Sequence, residues 1–160
     1  MTRVIEGVRK ATRGLHWIGG VCLVVLMLLT VTDVVLRAFR RALPGTYELV
    51  GFAGALAIGF ALPYTSWMRG HVYVDSLVVA LPRTGRKVLH TFTRVLAIGL
   101  FAVLGWNLVL FGLDLRSSGE VSPTLELHFY PIAFGLAAAC LLQVIVLLCN
   151  VVHILRGEYE

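Results

Sequence analysis

Residues Gly14 to Thr32 read Gly-Leu-His-Trp-Ile-Gly-Gly-Val-Cys-Leu-Val-Val-Leu-Met-Leu-Leu-Thr-Val-Thr, a run without a single formal charge. Extended to about Leu36, it is long enough to cross a hydrocarbon core of about 30 Å at about 1.5 Å per residue. Three more blocks of the same kind follow. The second is uncharged from Leu49 to Met68, the third runs from Val95 to Leu113 with a start nearer Val88, and the fourth covers Leu127 to Leu155. Only the fourth is longer than a span needs, and Pro131 suits the first turn of its helix. No water enters the bilayer core, so each block must satisfy its own backbone hydrogen bonds and is read as a helix. The predicted architecture is an all-α membrane protein, one domain over residues 1–160 with spans at about 15–37, 48–68, 88–113 and 128–154.

Composition agrees. Apolar residues make up 58% of the 160-residue chain and charged residues only 14%, whereas soluble domains hold about 45–50% and about 25%. Arg3, Arg9, Lys10 and Arg13 precede the first block as they would a secretory signal, but the apolar run continues too far and reaches no small-residue cleavage site. The expectation is a retained signal anchor. Basic residues set the orientation. Ten of the 14 lysines and arginines fall at the termini and the middle connection, whereas Arg37, Arg40, Arg41 and Arg116 fall on the other side. The chain is therefore expected N-in and C-in. Net charge is +5, yet no soluble face exists to carry a nucleic-acid site, and anionic phospholipid is the expected contact of Arg83, Arg86 and Lys87.

Cys22, Cys140 and Cys149 all lie inside the blocks, which suggests packing rather than a disulfide framework or a metal site. In the middle connection, Val74, Leu77, Val78 and Leu81 recur at helical spacing between Asp75 and Pro82, predicting a short amphipathic helix lying on the cytoplasmic surface. Within the spans polar groups are scarce. No ionisable residue occupies the middle third of any helix, and Asn107 and Gln143 are expected to hydrogen-bond each other or a partner helix. Gly51, Ala55 and Gly59 form one stripe of small residues on the second helix, and Ala53, Ala57 and Ala61 form another on the opposed side. Two readings are open for this pair of stripes: internal packing, or one internal neighbour and one neighbour from another protein.

Charge gathers at the outer ends of the spans. Asp33 and Arg37 stand at i,i+4 with the acid first, the favourable order for an ion pair. Beyond the Pro44-Gly45 turn, Glu48 opens the second helix, where a carboxylate complements the helix dipole. Asp114, Arg116, Pro123 and Glu126 echo this weakly in the second half.

Taken in order, Asp33-x-x-x-Arg37, Gly45-Thr46-x-Glu48-Leu49, Leu62-Pro63, Arg69-Gly-His-Val-x-Val-Asp75 and Gly119-Glu-x-Ser122-Pro-x-Leu125 resemble the small membrane subunit of TRAP transporters, the DctQ-like family. The likeness covers nearly the whole chain. It departs at His128 and Phe129, where such proteins often carry a proline followed by an aromatic residue. The resemblance implies a non-catalytic, multi-pass subunit of the bacterial inner membrane that supports a large permease subunit. It further implies uptake of an organic anion supplied by a periplasmic binding protein and driven by an ion gradient. The chain itself would need no cofactor, and the coupling ion, commonly sodium, would bind the large subunit. The resemblance makes Asp33, Arg37 and Glu48 architectural residues at the periplasmic face, and His71 and Asp75 organisers of the cytoplasmic surface segment.

A second class of function stays open. His16, His90 and His153 lie near the same ends of three helices, an arrangement compatible with a b-type haem or quinone anchor of a redox complex. No nucleophile, base and orienting group fall at workable spacing, so no enzyme is read from the sequence.

Overall fold

The computed structural model of the chain describes residues 2–68 and 83–155. Four helices account for most of them: α1 (Thr2–Ala38), α2 (Thr46–Trp67), α3 (Arg83–Ser118) and α4 (Tyr130–Leu155). All four are long and apolar enough to cross a membrane, and no strand occurs among the described residues. The surface segment predicted at 74–81, with His71 and Asp75, lies outside the described residues, as do the side chains of Arg83 and Lys87.

Helix lengths follow from where the charges sit. The 22 residues of α2 rise about 33 Å and match the hydrocarbon core, whereas the 37 of α1 and 36 of α3 rise about 55 Å and overshoot it. Because α1 and α2 meet at one short turn, the surplus of α1 projects at the far end, where Glu6, Arg9, Lys10 and Arg13 are exposed. The first turns of α3 carry Arg86 and Lys87 beyond the core at that same end. We call this the terminal end, and the end holding the 39–45 and 119–129 connections the loop end.

The helices form an open row in the order α1, α2, α4, α3, with α1 packed on α2, α2 on α4 and α4 on α3. This differs from a closed bundle: α1 and α3 are the two edges and do not pack together among the described residues. As the most enclosed member, α4 supplies Ala133, Ala137, Ala139, Cys140, Val146 and Leu147 to the core. The edges expose large apolar groups such as Trp17 and Trp106, the surface expected of helices solvated by lipid rather than water.

Small residues set the spacing within the row, since lipid tails compete equally for apolar contact and close backbone approach is what favours association. Gly19 of α1 lies against the Ala57 carbonyl and Phe60 of α2, and Gly105 of α3 lies against Cys140 of α4. Between α2 and α4, a Cβ on Gly59 would meet Leu136 Cδ2 at 2.4 Å. Both opposed faces of α2 therefore have neighbours from this chain, α1 and α4, while Gly51 faces open space and Ala55 borders a crevice shared with α3. Gly59→Leu is expected to force α2 from α4 and lower stability by about 3 kcal/mol, measured by thermal unfolding in mild detergent. Gly51→Leu, with nothing near it, should stay within about 0.5 kcal/mol of the parent.

Candidate functional site at the loop end

The end of α1 prepares the site. Arg40 takes a left-handed conformation (φ 59°), Arg40 N–H donates to the Arg37 carbonyl, and Arg41 N–H donates to Leu36. This double closure satisfies the last carbonyls of the helix and turns the chain back. Asp33 then holds the returning strand. Its Oδ2 accepts from Arg37 Nε at 2.7 Å, and its Oδ1 accepts from the Leu43 N–H at 3.1 Å. Arg37 also lies 5.5 Å from the centre of the Tyr47 ring, a cation–π contact. Asp33 is buried at 6% exposure, and Arg37 is nearly half exposed, so the pair has one end in the protein and one in water.

Two residues later the turn reaches Gly45, at φ +73°, the residue preceding α2. Thr46 donates its hydroxyl to the Leu43 carbonyl, and Glu48 sits in the first turn of α2. The Glu48 carboxylate reaches across to the other hairpin. Oε2 accepts from Ser122 Oγ at 2.7 Å and from the Leu125 N–H at 3.2 Å, and Oε1 accepts from the Thr124 N–H at 2.9 Å. Ser122 is the hub of the 119–129 connection. Its hydroxyl accepts from the Leu127 N–H, its own N–H donates to the Leu127 carbonyl, and its carbonyl accepts from the Glu126 N–H. Leu125, carried on this loop, lies directly over Gly45. Phe52 of α2 packs edge-on against Phe129, continuing the contact inward.

One carboxylate thus ties the start of α2 to the α3–α4 connection, and the left-handed glycine beside it receives that connection's leucine. Arrangements like this hold helices in fixed register. They supply no nucleophile and no open coordination site, and no cluster of metal-ligating groups occurs among the described residues.

Of the two partners expected for Gln143, Asn107 or another helix, the structure shows the second. Gln143 Nε2 donates to Ser66 Oγ of α2 at 2.6 Å, and Asn150 Nδ2 donates to the Ser66 carbonyl. Asn107 is exposed on edge helix α3 and donates to Val103 one turn back in its own helix. Gln143 and Asn107 are on adjacent helices as expected, but Gln143 is buried against α2 and Asn107 is exposed on α3. The seven-residue spacing of Gln143 and Asn150, which returns to one helix face, was the available signal for the Ser66 contact. His16 stacks on Tyr64 with ring centres 4.4 Å apart, on the α1–α2 side of the row. His90 is on the opposite edge helix, so these two histidines share no site, and the side chain of His153 lies outside the described residues.

Residues 26–157 match the family of tripartite ATP-independent periplasmic transporters, DctQ component. The chain belongs to the DctQ family. The matched stretch takes in the whole loop-end cluster from Asp33 to Leu127, so the DctQ pattern and the cross-hairpin contacts coincide. No curated protein matches the chain in sequence. As a DctQ component with four apolar helices, it is a multi-pass membrane subunit of a transport system. Within the DctQ pattern, sequence reasoning had singled out Glu48 and Asp33. It did not anticipate Ser122, Thr124 and Leu125 as the partners of Glu48, because that contact joins residues more than 70 apart.

Proposed function

We propose that this chain is the small, non-catalytic membrane subunit of a tripartite transporter of the bacterial inner membrane. It supports a large permease subunit during ion-gradient-driven uptake of an organic anion delivered by a periplasmic binding protein. The observation that carries this reading is the Glu48 contact set, which ties the start of α2 to the α3–α4 connection and so joins the two helical hairpins. A carboxylate committed to holding two hairpins in register suits a scaffold. Substrate and coupling-ion sites, with sodium as the ion, belong to the large subunit. In this reading the terminal end faces the cytoplasm and the loop end the periplasm, which the excess of basic residues in the segments at the terminal end supports. His71 and Asp75 organise the cytoplasmic surface segment, and Arg83, Arg86 and Lys87 rest on anionic lipid.

Mild-detergent purification of the tagged chain, followed by mass spectrometry, a visible spectrum and reconstitution, tests this. A much larger polytopic protein is expected in a colourless eluate. Proteoliposomes holding both polypeptides should take up an organic anion only with the binding protein and a sodium gradient. Uptake by the small chain alone, or a haem band with a redox enzyme as partner, would overturn the proposal.

A further inference from the structure

Because α2 and α3 flank α4 without closing on each other, a groove runs along the row on one side of α4. Its inner part, about 340 Å³, is lined by apolar groups including Ala55, Ile58, Leu62, Phe101, Leu104 and Leu136. Its outer part, about 250 Å³, shares Leu62, Phe101 and Gln143 with the inner part and adds the polar groups of Ser66, Thr93, Arg94 and Asn150. The groove is thus apolar at one end and polar, with a cation, at the other. From Ser66 to Ala55 along α2 is about 16 Å at about 1.5 Å per residue, the hydrocarbon depth of one leaflet of a core about 30 Å thick. Ser66 stands in the last turn of α2, so the polar part lies at headgroup depth.

We infer that this groove is a binding site for an anionic phospholipid with a hydroxylated headgroup, of the phosphatidylglycerol type, from the leaflet at the terminal end. One acyl chain lies along α4 between α2 and α3, and the phosphate lies at the polar mouth. Charge complementarity selects the occupant: Arg94 lines the mouth, and Arg9, Lys10, Arg13 and Arg86 lie at this end of the described helices. The hydroxyl is called for by Gln143, which is only 2% exposed and lines both parts of the groove. Its Nε2 is bonded to Ser66, but its Oε1 accepts no hydrogen bond among the described residues. A buried acceptor without a donor is costly, and a headgroup hydroxyl supplies one. A transmembrane helix from another protein fits the gradient poorly, because an apolar helix face offers nothing to the cation and buried acceptor at the polar mouth. The inference stands on the groove alone and does not depend on the transporter assignment.

The test is native mass spectrometry of the full chain, released from nanodiscs holding equal phosphatidylglycerol and phosphatidylcholine. One retained phosphatidylglycerol per chain is expected, in preference to phosphatidylcholine by on the order of tenfold. Arg94→Gln should erase the preference. Ala55→Phe, which fills the apolar part and leaves the mouth intact, should remove retention of both lipids. A third measurement uses the unaltered chain, so that it survives a misfolded variant: added phosphatidylglycerol should raise the melting temperature in detergent, and phosphatidylcholine should not. Equal retention of both lipids, no melting shift, or a co-purified polypeptide cross-linking from a cysteine at Ala97 in the groove would overturn the inference.

Discussion

Glu48→Gln is expected to release the 119–129 connection from the start of α2. A carboxylate offers two acceptor oxygens, and here both are used by donors: Ser122 Oγ, the Thr124 N–H and the Leu125 N–H. Glutamine keeps the size of the side chain but offers one oxygen and an NH2 group. Whichever way the amide turns, the NH2 faces a backbone N–H, and two donors meet where a donor and an acceptor met before. Hydrogen exchange reads the result directly. The Thr124 and Leu125 amides should exchange roughly tenfold faster or more than in the parent chain, as local opening becomes easier, while amides in the middle of α4 should be unchanged. Under the proposed function, the variant should also recover less of the large subunit on co-purification, because the loop end no longer holds one shape. Unchanged exchange at Thr124 and Leu125 would show that the carboxylate is not what fixes the connection.

Gly45→Ala is expected to be severely damaging for a change of one methyl group. At φ +73° an L-residue brings its Cβ against the neighbouring carbonyl at a cost of about 1–2 kcal/mol. The added Cβ would also stand 2.4 Å from Leu125 Cγ and 2.5 Å from its Cδ1, closer than any real contact. Leu125 has little room to retreat because Glu48 holds its backbone N–H. With overpacking adding a further share, the total is about 3 kcal/mol, read as a lowered melting temperature. Gly20→Ala, in a helix with nothing nearby, should stabilise slightly or leave the chain unchanged. The two predictions are coupled. In a Glu48→Gln background Leu125 is free to swing aside, so Gly45→Ala should cost less there than in the parent, and a double-mutant cycle measures the difference. Strict additivity would mean that Leu125 and Glu48 act on Gly45 independently.

Four spans are legible in the sequence alone, because an apolar run of about 20 residues has one stable form in a bilayer and needs no partner to adopt it. Local pairs were legible for the same reason: Asp33 and Arg37 are one turn apart, and helix geometry alone brings them together. Pro131 in the first turn of α4 and Glu48 in the first turn of α2 belong to this class as well. The lateral order of the helices does not. Apolar faces are solvated equally well by lipid and by other helices, so hydrophobicity along the chain carries no information about which helix sits beside which. That is why Asn107 and Gln143, both polar and on adjacent helices, looked like partners. The structure instead turns Gln143 toward Ser66 and leaves Asn107 bonded to its own helix. Glu48 shows the same division within one side chain. Its place at a helix start follows from sequence, because the helix dipole acts within one turn. Its three partners lie more than 70 residues away and are set by the packing of α2 on α4, which only the folded chain brings about.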